Sequence, residues 1–151
     1  MNLHALRGTM LLLIFIWAGM LLGISFLEAP LKFQAPNITL ALGVGIGRLV
    51  FAALNKVEIV FSISLTLLCI FTGPSVTLMS FLGVVATILI VQSFWLLPSL
   101  DARAQIIIDG GLPTANSPHL FYIAGEIAKL ICLILAGLKL FSESMKVNTG
   151  R

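Results

Sequence analysis

Residues 37–72 read NITLALGVGIGRLVFAALNKVEIVFSISLTLLCIFT. How this stretch crosses a bilayer decides the fold. It could be two short spans joined at Asn55-Lys56. It could equally be one span preceded by a helix lying at the membrane interface. Two spans would leave Arg48 deep in a helix of about 17 residues, the lower limit for crossing hydrocarbon. The linking residues Asn55–Glu58 also contain no Gly or Pro to reverse the chain. The reading adopted is one span over residues 57–72, with residues 36–54 entering at the interface as a helix continuous or nearly continuous with it. The alternative is a five-span protein.

The rest of the chain fits a membrane setting. Of 151 residues, 59% are hydrophobic and 10% charged, with a mean hydropathy of +1.11. A soluble domain carries roughly 25% charged residues, so polar groups cannot cover this surface. Three further runs have the length of a transmembrane helix, about 20 residues: 9–27, 75–97 and 120–141. The first is too long for the apolar core of a signal peptide, and no small-residue cleavage site follows. The expectation is a single all-α membrane domain over residues 1–151, a four-helix bundle with interfacial helices before span 2 and between spans 3 and 4. In the latter, Ser99 is the predicted N-cap and Gly110-Gly111 the stop. The segment 112–118, LPTANSP, is turn chemistry. No internal repeat and no low-complexity segment stands out.

Four spans put both termini on one side, together with Arg7, Lys139, Lys146 and Arg151. The excess of basic over acidic residues there predicts cytoplasmic termini. The opposite mouth gathers five of the six acidic residues and His119. The candidate binding cluster at that mouth is Glu28, Arg48, Glu58, Gln92, Asp101, Arg103, His119, Tyr122, Glu126 and Lys129. The carboxylates would bind or relay, Arg and Lys would balance charge, and Gln92 and Tyr122 would orient.

Positions three and four apart share a helix face. In span 2, Glu58, Ser62, Thr66, Cys69 and Gly73 form a small, weakly polar stripe. In span 4, His119, Tyr122, Glu126, Lys129 and Ala136 form another. The two stripes should face each other, because hydrocarbon offers no hydrogen bonds in return. Glu126 and Lys129 are placed to pair at i,i+3. Gln92 and Trp95 should sit at similar depth and complete a network. Such a pair can simply hold helices in register, or it can mark a functional site, since ionisable groups inside a membrane are costly.

Other signals point to packing. Gly19 and Gly23, and Gly43 and Gly47, are G-x-x-x-G pairs suited to close helix contact, and Ser80, Gly83 and Thr87 give span 3 a similar small face. These faces suit a homo-oligomer or a larger membrane complex. GVGIG at 43–47 lacks the strand context of a dinucleotide site. Cys69 and Cys132 lie in apolar runs as small hydrophobes. His4 and His119 fall at opposite ends and cannot hold one haem iron. Glu28, Glu58, His119 and Glu126 have no diagnostic metal-ligand spacing, so no metal, cofactor or catalytic residue is assigned. The net charge of +3 is spread along the chain, without the basic cluster of a nucleic-acid binder.

Residues 17–36, WAGMLLGISFLEAPLKFQAP, and 47–58, GRLVFAALNKVE, resemble the transmembrane protein 205-like family. The matching elements are the W-x-G of the first span and the A-P-x-x-F exit, Ala29-Pro30-Leu31-Lys32-Phe33. The resemblance implies a compact four-span bundle and no particular chemistry. The family's aromatic-proline-tyrosine element is replaced by Ala52-Ala53-Leu54, and the 97–111 segment has no counterpart.

Three functions fit these features: a membrane protein binding or passing a small solute, ion or metal at the polar mouth; a structural or assembly subunit of a larger membrane complex; and a membrane redox or lipid enzyme.

Overall fold

A computed structural model describes residues 3–112 and 118–149, and the predicted turn over 112–118 lies mostly outside them. Over the described residues the chain is all-α, with four helices long and apolar enough to cross a membrane. These are α1 (Leu3–Gln34), α2 (Leu40–Thr72), α3 (Val76–Ile108) and α4 (His119–Thr149). The five-span alternative is excluded, because residues 40–72 form one uninterrupted helix.

Helix ends follow local chemistry. Thr39 caps α2 by accepting the Leu42 N–H at 3.2 Å, satisfying a donor the first turn leaves free. Gly73, at φ 52°, ends α2 in the left-handed region and donates its N–H to Cys69 O. Pro74 follows, and Ser75 caps α3 through the Leu78 N–H. Gly110, at φ 82°, stops α3, as the sequence predicts.

One feature differs from expectation. The helix between spans 3 and 4 does not begin at a Ser99 cap. It is the continuation of span 3, and Ser99 Oγ donates back to Trp95 O at 2.7 Å in mid-helix. The continuity depends on a wide π-turn over Gln92–Leu96, where the Leu97 N–H bonds Gln92 O. Pro98 follows at once. A proline in a helix has no N–H and collides with the preceding turn; widening that turn keeps the helix unbroken. Span 1 does the same over Leu22–Glu28, where the Ala29 N–H bonds Ile24 O just before Pro30.

α1 packs against α2 and α4, and α3 packs against α4. Its last turns, Leu97–Ile108, lie along the start of α2. α2 and α4 are therefore diagonal partners. At 1.5 Å per residue, α2 and α3 are each about 50 Å long, some 20 Å more than a hydrocarbon core. The predicted interfacial helices are these surplus ends. Met10, Ile14, Trp17, Leu21, Leu65, Leu133 and Leu140 fill the centre, while Leu12, Leu67, Ile70, Phe94 and Leu138 are exposed, as a lipid-facing surface requires.

Candidate functional site

Five of the ten predicted residues meet inside the bundle. Glu58 comes from α2, Gln92 from α3, and Tyr122, Glu126 and Lys129 from α4; all are at most 3% exposed. Lys129 Nζ lies 2.8 Å from Glu126 Oε1, the predicted i,i+3 pair. The same ammonium reaches across the diagonal to Glu58 Oε1. Gln92 Nε2 donates to Glu126 Oε1 at 3.0 Å and to Tyr122 O at 3.2 Å. Gly125 makes this approach feasible: a Cβ there would stand 2.8 Å from Gln92 Nε2.

Two donors were not read from the sequence, and both come from α1. Trp17 Nε1 donates to Glu58 Oε1 at 2.9 Å, and Ser25 Oγ to Glu126 Oε2 at 2.7 Å. A weak signal existed, since an indole N–H or a hydroxyl within an apolar span needs a partner. Nothing in the local sequence said which helix supplies it. A second link above the cluster, Asn55 Nδ2 to Ser93 Oγ at 2.8 Å, was also missed.

The cluster is unevenly satisfied. Glu126 receives donors on both oxygens. Glu58 takes Trp17 and Lys129 on Oε1 alone, leaving Oε2 buried without a partner, as are Gln92 Oε1 and the Tyr122 hydroxyl. In formal charges, two carboxylates face one ammonium.

The remaining predicted residues form a separate outer layer, so the single polar mouth divides in two. Glu28 pairs with Lys32 at 3.3 Å, whose ammonium sits 5.3 Å from the Phe51 ring centre. Arg48 grips Asp101 at 2.6 and 3.0 Å and Gln105 at 2.6 Å, clamping the start of α2 to the end of α3. Arg103 is half-buried and His119 exposed at this end. Trp95, expected to complete the network at the depth of Gln92, is 62% exposed. Among the described residues, no group of three His, Cys, Asp or Glu converges as metal ligands.

The span 2 stripe is corrected too. Only Glu58 reaches α4. Ser62, Thr66 and Cys69 line a groove of about 190 Å³ with Trp17, Met79 and Gly83. The glycine pairs also part ways. Gly43 receives the Phe33 ring and Gly47 the Lys32 side chain, whereas a Cβ at Gly19, Gly23 or Gly83 would meet nothing in the chain.

Compared with known proteins, the chain matches no family model, no curated protein and no solved structure. The family resemblance therefore rests on the quoted residues alone.

Proposed function

We propose that this multi-pass membrane protein binds or passes a small cation at the Glu58–Glu126–Lys129 cluster, with its termini on the cytoplasmic side. One observation carries the reading: two fully buried carboxylates face a single ammonium, and Glu58 Oε2 has no donor. A charge at bilayer centre costs about 2.5–3.5 kcal/mol on insertion scales. A positively charged ligand removes that cost, and the buried Gln92 and Tyr122 oxygens offer it further acceptors.

Thermal unfolding in lipid nanodiscs tests this, because a ligand that binds only the folded state raises the melting temperature. Titrating pH, then sodium, potassium and magnesium, should reveal one cation that shifts the wild-type melting temperature. Glu58→Gln should abolish the shift, while Glu28→Gln in the outer layer should keep it. A wild-type melting curve indifferent to pH and to every cation would exclude the reading.

An assembly role is the second reading, supported by the outward-facing Gly19, Gly23 and Gly83. Close helix approach through such small residues is a common basis of association in membranes. It predicts co-purification of a second copy or another membrane subunit, lost on Gly19→Leu.

A further inference from the structure

The two halves of the chain carry the same device. Ser25-Phe26 followed by Pro30 in α1 returns as Ser93-Phe94 followed by Pro98 in α3, a shift of 68 positions. The wide turns coincide at that shift, for their closing bonds run from Ala29 to Ile24 and from Leu97 to Gln92. Met10 and Leu78, Leu21 and Leu89, and Leu65 and Leu133 are buried equivalents at the same spacing. So are Glu58 and Glu126. Because α1 and α3 start from the same end of the bundle, the hairpins α1–α2 and α3–α4 are parallel repeats about an axis along the bundle, an arrangement known in transporters. The side chains hide the relation: Trp17 stands opposite Val85, and Tyr122 opposite Leu54.

Glu58 and Glu126 are thus one position occurring twice, meeting at the axis on the Nζ of Lys129. Lys129 has no counterpart, since Phe61 holds the equivalent place. Among the described residues, Glu58 faces Lys129 and Glu126, and Tyr122 faces both carboxylates; Trp17, Ser25 and Gln92 add neutral donors from α1 and α3. We infer that the chain is a parallel tandem repeat whose two equivalent carboxylates share one ammonium and hold one exchangeable proton, seated on Glu58 Oε2. This rests on the cation reading above and names the cation. Like charges sharing a site resist ionising together, and one ammonium neutralises only one of them. Glu126 already receives donors on both oxygens. Glu58 Oε2 has no donor and takes the proton.

Infrared spectroscopy of the full chain in nanodiscs counts protonated carboxyls directly. At about pH 8, exposed carboxylates are ionised, so a remaining carboxylic-acid band reports a buried proton. The wild type should show one such carboxyl. Glu58→Gln and Glu126→Gln should each show none, because Lys129 then neutralises the one remaining carboxylate. Lys129→Met should show two. A wild-type spectrum without the band overturns the proton assignment. If sodium or potassium nonetheless stabilises the protein, the cation reading survives; if no ion or pH change does, both fall. The repeat has its own test, which needs no ligand. Lys129→Phe should lower the melting temperature, and adding Phe61→Lys, which moves the ammonium to the equivalent place, should restore most of the loss and the single band. A double variant no better than Lys129→Phe would overturn the equivalence of the halves.

Discussion

Lys129 binds Glu58 across the diagonal of the bundle, although α2 and α4 are not packing neighbours. The contact is made by side-chain reach through a centre otherwise filled by Trp17 and leucines. One ammonium therefore ties the two hairpins together, and its loss should be felt by the whole fold.

With the proton on Glu58, removing that ammonium leaves the buried Glu126 carboxylate without a counter-charge. Breaking a buried ion pair from one side costs about 3–5 kcal/mol, so Lys129→Met should lower the melting temperature sharply at neutral pH, because the folded protein must take up a second proton that the unfolded chain does not hold, and recover on acidification as the unfolded carboxyls are protonated too. The triple variant Glu58→Gln, Glu126→Gln, Lys129→Met has no charge to strand and should be more stable than Lys129→Met alone. Thermal unfolding of the two proteins in nanodiscs compares them; equal instability would show that packing, not charge, is what Lys129 supplies.

Glycine substitutions should separate by what each Cβ meets. At Gly125 it would press on Gln92 Nε2 at 2.8 Å and Ile88 Cγ2 at 3.2 Å, so Gly125→Ala should lose about 1–3 kcal/mol and weaken the Gln92–Glu126 bond. At Gly137 it would meet the Phe15 ring at 2.7 Å. Phe15 is 47% exposed and can swing outward, so Gly137→Ala should cost less. At Gly19 it meets nothing, and Gly19→Ala should be neutral or slightly stabilising through helix propensity. Melting temperatures that ignored this order would contradict the packing described.

The Arg48–Asp101 clamp is different in kind. Its side chains are 31% and 52% exposed, and solvent screening limits such pairs to about 0–1 kcal/mol. A double-mutant cycle on Arg48→Ala and Asp101→Ala should find a coupling in that range, reduced at high salt. Hydrogen exchange should register faster opening of residues 97–108 and 40–50 while the core helices stay protected. Global unfolding on loss of the clamp would mean that the surplus helix ends stabilise the bundle itself.

Topology follows from helix number. Sidedness reporters near Gln34 and near Asn116 should label from the same face, and reporters at the two termini from the other. A split between the termini would contradict four spans.

Much of this architecture was legible along the chain. Apolar runs marked the four spans, the lack of a turn signal at Asn55-Lys56 argued for one helix over 40–72, and the spacing of Glu126 and Lys129 gave their pair. These readings depend on hydrophobicity and on neighbours within two helical turns. Ser99 misled because a cap and a mid-helix serine look alike locally; the wide turn that carries the helix through Pro98 is a backbone adjustment with no distinct residue signature. The repeat was hidden because its matching positions conserve burial more than chemistry.

The sequence by itself determined that the chain lives in a bilayer, favoured four crossings over five, and placed charges inside its last span. Hydrocarbon forces those conclusions, since unpaired polar backbone and long polar runs are not tolerated there. Only the tertiary structure decided which polar groups from different helices meet. Trp17, Ser25, Glu58 and Gln92 come from three different helices, and their convergence on Glu126 and Lys129 depends on helix rotation and crossing, set by side-chain packing across the bundle. The same packing separated Glu28, Arg48 and Asp101 into an outer layer of partly exposed ion pairs.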